Sequence, residues 1–101
     1  MMDREVEIDK GSNKYLEWSE TLHEDNEFIT YTEWGYSDKI NLGPGIDDDI
    51  EHIIKIKKNH LKDLTFEKLI FVLKNLNSKL KINSFRSFLD NKKIKYDYQV
   101  W

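Results

Sequence analysis

The chain of 101 residues has no cysteine, no alanine, one proline and four glycines. Without cysteine there can be no disulfide framework, no thiolate metal site and no thiol nucleophile. With so few glycines the phosphate cradles of dinucleotide-binding and P-loop proteins are absent, and Gly43-Pro44-Gly45 reads as a turn. None of Ser12, Ser19, Ser37, Ser78, Ser84 and Ser87 lies in a Gly-x-Ser-x-Gly elbow. No run approaches the ~18 apolar residues a membrane helix needs. The start, Met-Met-Asp-Arg-Glu-Val-Glu, lacks the basic-then-apolar order of a signal peptide. The expectation is a cytoplasmic protein with no membrane partner, folded as one domain over residues 1–101.

What the chain has in quantity is charge, 35% of residues, distributed unevenly. Residues 1–51 carry 15 Asp and Glu against 4 Lys and Arg, a net of −11, whereas residues 52–101 carry 4 against 12, a net of +8. Such asymmetry points either to separate interaction surfaces or to two halves that interleave and neutralise each other. Aromatic residues, 13% of the chain, supply material for a core and for binding anchors.

Hydrophobic periodicity predicts the elements. Alternation places a strand over 3–9 with Val6 and Ile8 inward, and Lys14–Leu22 fits a strand or a helix, with strand preferred. Glu27–Tyr36 is rich in aromatic and β-branched residues and reads as a strand. Phe28, Thr30, Thr32, Trp34 and Tyr36 lie on one of its faces, and Ile29, Tyr31 and Glu33 on the other. Ile50–Lys57 forms another strand after the Asn41–Gly45 turn. Phe66, Leu69, Ile70, Leu73 and Leu76 trace a helical stripe with Thr65 as N-cap. A second helix starts near Asn83 or Ser84 and buries Phe85, Phe88 and Leu89, and a last strand covers Ile94–Val100. This order predicts an α+β fold: an antiparallel or mixed sheet of four to five strands, with two helices between the penultimate and last strands, packed on one face.

Catalytic and metal chemistry finds little footing. Asp47, Asp48, Asp49, Glu51 and His52 crowd together, but the EF-hand alternation is missing and a strand would send Glu51 and His52 to opposite faces. A small metal-dependent enzyme at this cluster is kept as one alternative, while the main expectation is no cofactor, no metal and no catalysis. Glu33, a carboxylate in an aromatic strand, is the first acid to consider for proton transfer. The lysine-rich second half makes a nucleic-acid-associated regulator the other alternative. An acidic pI near 5.6 and only two arginines among sixteen basic residues argue against it.

The stronger pattern is the mixture of carboxylates and large aromatics in the first half, which suits capture of a basic protein. In the segments Glu24–Tyr36 (EDNEFITYTEWGY) and Gly45–Glu51 (GIDDDIE), the chain resembles the immunity proteins that neutralise bacterial polymorphic toxins, including those of contact-dependent growth inhibition. The resemblance implies an inhibitor whose partner is a basic toxin or nuclease domain, with its active or substrate-binding surface blocked. Phage-encoded inhibitors of defence nucleases fit the same description. The residues expected to carry the contact are Glu24, Asp25, Glu27, Glu33, Trp34, Tyr36, Asp47, Asp48, Asp49 and Glu51.

Overall fold

A computed structural model of the chain describes residues 3–12, 17–36, 49–76 and 81–100, with Tyr36 and Asp49 described at the backbone. Five strands, β1 (Arg4–Ser12), β2 (Glu17–Glu24), β3 (Phe28–Tyr36), β4 (Asp49–Lys57) and β5 (Asp97–Val100), pair antiparallel in the spatial order β1-β2-β3-β4-β5. After β4 the chain makes a short 3-10 turn at Lys58–His60. It then forms helices α1 (Phe66–Lys74) and α2 (Ile82–Asn91) before entering β5. The fold is therefore α+β, and of the two sheet types expected, the antiparallel one is present. Among the described residues no helix is long and apolar enough to cross a membrane. The expected turn at Asn41–Gly45 lies outside the described residues.

Sequence alternation decides which sheet face meets the helices. Leu22, Tyr31 and Ile54 form one cross-strand row and Ile29 and Ile56 part of the next, all essentially without solvent exposure. Phe66, Leu69 and Leu73 of α1 and Phe85 and Leu89 of α2 complete this core. Each fully buried side chain of this kind contributes roughly 1.5–3 kcal/mol. Phe85 sits edge-on to Tyr31 with ring centroids 5.2 Å apart, the arrangement that the ring quadrupoles favour. On the opposite sheet face, Ser19, Thr21, Phe28, Thr30, Thr32, Trp34, Glu51 and Ile53 alternate with the core positions, and none of them is buried.

Local chemistry sets the element ends. Asp25 closes the β2–β3 hairpin: its Oδ1 accepts the N–H groups of Glu27 and Phe28, both at 2.8 Å. Glu27 thus belongs to the turn, and β3 starts one residue later than alternation suggested. In β1 a bulge at Ile8 turns Asp9 toward the same face as its cross-strand neighbour Glu20. Thr65 caps α1, its Oγ1 accepting the Lys68 N–H at 3.2 Å, as the sequence predicts.

The start of α2 and the length of β5 depart from the sequence reading. Helix α2 begins at Ile82, so Asn83 and Ser84 sit in its first turn, and Lys81 takes the N-cap position without a capping side chain. At its other end Lys93 adopts a left-handed φ of 57°, where glycine is the usual occupant. The N–H of Ile94 donates to Leu89 O and that of Lys93 to Asp90 O, both at 3.0 Å. This reversal drops Ile94 into the core. Only Asp97–Val100 then falls into register with His52–Lys55, which shortens the last strand from the seven residues expected.

Candidate functional site

Of the ten residues expected to carry a contact, four come together. In the sheet, Ser19 pairs with Trp34 and Trp34 with Glu51, while in the adjoining row Glu17 pairs with Tyr36 and Tyr36 with Asp49. Trp34, Tyr36, Asp49 and Glu51 therefore occupy neighbouring register positions at one end of the sheet. Glu17, which the sequence reading did not select, joins them through the β2 register. Trp34 and Glu51 are half-buried on the face away from the helices, with Thr32 and Ile53 in the next open-face row and Glu17 exposed. Asp47 and Asp48 lie outside the described residues.

The remaining candidates go elsewhere. Glu24, Asp25 and Glu27 lie at the opposite end of the sheet, about five residues or roughly 17 Å along β3 from Trp34. Glu24 is turned to the helix side and already neutralised: Arg4 Nε donates to its Oε1 at 2.7 Å, and Lys58 Nζ is 3.1 Å from its Oε2. Arg4 also reaches Glu67 of α1 and stacks 4.5 Å above the Phe66 ring, tying β1 to that helix. The carboxyl of Glu24 is held below its ordinary value because these two cations outweigh its burial. Asp25 is occupied by the hairpin turn, and its pKa is lowered chiefly by the Phe28 and Glu27 amides it accepts.

Glu33 is buried on the helix side and belongs to a second, internal constellation. Its Oε1 accepts from Tyr31 Oη at 2.7 Å and from the Lys81 backbone N–H at 2.6 Å. It thus serves as the anionic cap that α2 lacks in its own sequence, where the helix dipole favours negative charge. Burial first, and then the neighbouring Glu33 carboxylate, push the Tyr31 hydroxyl well above its ordinary value. Glu20, the cross-strand partner of Glu33, is also fully buried. Lys81 Nζ stands 3.3 Å from Glu20 Oε1 and 3.6 Å from Asp9 Oδ2, at ion-pair range, with Glu20 Oε1 outside hydrogen-bonding geometry. Asp9 Oδ2 further accepts the Trp18 indole N–H at 3.1 Å. Burial raises the Glu20 carboxyl to about 7, with Lys81 opposing the shift and Glu33 reinforcing it.

Two carboxylates side by side with one raised pKa have the chemistry of an acid–base pair. Both are enclosed, however, and line none of the larger surface depressions among the described residues. Their positions tie the end of the sheet to the start of α2, a structural use. The signal for Glu33 was present in the sequence, since Ile29, Tyr31 and Glu33 share one face. Glu20 carries no comparable signal, because Lys14–Leu22 fits a helix as well as a strand and so fixes no face for it. Lys81 is one of the many lysines of the second half, and nothing in its spacing marks it as buried.

The charge asymmetry of the two halves is partly cancelled in space, because Lys58 pairs with Glu24 and Lys81 with Asp9 and Glu20, second-half cations against first-half carboxylates. Among the described residues no group of three or more His, Asp or Glu is arranged to hold a metal ion. His52 and Glu51 point to opposite faces, and His52 Nδ1 is 2.7 Å from Tyr98 Oη. No protein-family model matches the chain, and no curated protein or solved structure is significantly similar to it.

Proposed function

We propose that the chain is a small binding module that captures a basic protein partner on the open face of its sheet, as an inhibitor or immunity protein would. The observation that carries this reading is the convergence at one end of that face: Trp34 stands in cross-strand register with Glu51, beside the Glu17–Tyr36–Asp49 row. A tryptophan among cross-strand carboxylates supplies a large apolar contact at low entropic cost, with charge around it to steer a cation-rich surface. The row of Thr21, Thr32 and Ile53 extends the platform. The acidic contribution in this proposal moves from Glu24, held in ion pairs, and from Asp25 and Glu27, at the hairpin turn on the far end of the sheet, to Glu17 and Glu51.

The test is calorimetric titration against the product of the adjacent gene at two salt concentrations. Tight one-to-one binding that weakens with salt supports the proposal. The double variant Glu17→Lys/Glu51→Lys is expected to weaken it by about 2 kcal/mol or more, mainly through slower association. Binding unaffected by that charge reversal places the interface elsewhere, and no binding at either salt concentration removes this partner class.

A further inference from the structure

We propose that the groove between the C-terminal half of β4 and the α2–β5 connection binds a nucleoside phosphate, presented either as a free nucleotide or within a single strand. The cavity measures about 640 Å³. That volume falls in the range of small-ligand sites. Its cations are placed by the fold rather than by sequence proximity. Lys55 and Lys57 alternate with the buried Ile54 and Ile56, which fixes both on the open face. Lys95 follows Ile94 out of the left-handed turn at Lys93, so the chain reversal that buries Ile94 also builds the groove's second wall.

No carboxylate within ion-pair range neutralises these lysines among the described residues. Lys58 and Lys81 are held by carboxylates, whereas the ammonium groups of Lys55, Lys57 and Lys95 make no ion pair or hydrogen bond among the described residues. The Lys55 ammonium instead lies 4.3 Å above the Phe28 ring. Phe28 and Tyr96 both line the groove, giving a base two aromatic surfaces to stack on beside cations that suit its phosphate.

Two carboxylates also face the cavity. Asp90 accepts the Tyr96 hydroxyl at 3.0 Å, and Asp97 is the register partner of Lys55. As acceptors they match sugar hydroxyls and base amino groups, so the lining is mixed as a nucleoside phosphate requires rather than uniformly cationic. A second depression of about 330 Å³ shares Lys57 and is lined besides by Asn26, Glu27, Asn59 and the Glu24-paired Lys58.

The experiment is fluorescence anisotropy of the full chain with a labelled deoxythymidine decamer, competed by UMP and separately by inorganic phosphate. Three lysine–phosphate contacts predict a logarithmic salt slope of about −2 for a single strand, or about 20-fold weaker binding for a fourfold rise in salt. Binding of the decamer that UMP fails to displace identifies the strand as the source, and displacement by UMP identifies the nucleotide. Lys57→Gln/Lys95→Gln is expected to cost about tenfold or more and to flatten the salt slope. Lys68→Gln/Lys74→Gln on α1 should leave binding unchanged. Both groove lysines are exposed, so circular dichroism should report an unaltered fold. The proposal is overturned if neither the decamer nor UMP binds at low salt. It is likewise overturned if inorganic phosphate competes as well as UMP, or if the Lys57/Lys95 variant binds like the parent.

Discussion

Replacing Glu20 with glutamine isolates the energetic consequence of burying a carboxylate between the sheet and α2. The residue is fully buried and its carboxyl is raised from 4.5 to about 7, chiefly by loss of solvent. Between those two values the folded chain retains a proton that the unfolded chain releases. Stability therefore falls as pH rises through that window, and the loss is complete above about 7. At 1.36 kcal/mol per pH unit the full loss is about 3 kcal/mol. Glutamine keeps the shape but does not ionise, so the variant is free of this slope. Lys81 keeps Asp9 as a partner at 3.6 Å. The expected result is that the stability difference between Glu20→Gln and the parent shifts by about 3 kcal/mol in the variant's favour between mildly acidic and mildly alkaline pH. Urea unfolding followed by tryptophan fluorescence across that range measures it directly. Parallel stability curves for the two proteins would refute the reasoning, because they would mean that Lys81 offsets the burial of Glu20 completely.

Two further substitutions test the backbone devices. Lys93→Gly relieves a left-handed conformation at φ 57° and should stabilise the chain by about 0.5–1 kcal/mol, read as a higher urea midpoint with an unchanged slope. Gly11→Ala should destabilise it by about 1–3 kcal/mol, since a methyl there would lie 2.6 Å from Trp18 Cζ2. The displaced indole should also lose its bond to Asp9 and shift its emission, which a fluorescence spectrum of the folded variant checks.

Much of the architecture was legible because it depends on local periodicity. The alternation of Glu27–Tyr36 and Ile50–Lys57 assigned residues to the two sheet faces, and the stripe from Phe66 to Leu76 with Thr65 ahead of it located α1, which ends at Lys74. Element ends were less legible wherever the capping group comes from a distant part of the chain. Helix α2 is capped by Glu33 of β3, 48 residues before Lys81, and no pattern around Asn83 or Ser84 announces that.

The candidate sites divide along the same line. Aromatic and acidic residues near Trp34 could be picked out by composition. Their convergence with Glu17, and the removal of Glu24 and Asp25 into an ion pair and a turn, follow from strand register and from the position of Arg4. The lysine groove shows the same limit, since Lys55 and Lys57 come from one segment and Lys95 from another, joined only by the reversal at Lys93. By itself the sequence determined the two central strands, the helical stripe, the absence of thiol chemistry and the surplus of charge, because each is a property of residue type and near-neighbour spacing. Tertiary structure decided which charges are neutralised, which are buried and which are left to face a partner, because the energy of a charge depends on the solvent and the opposite charges that folding brings to it.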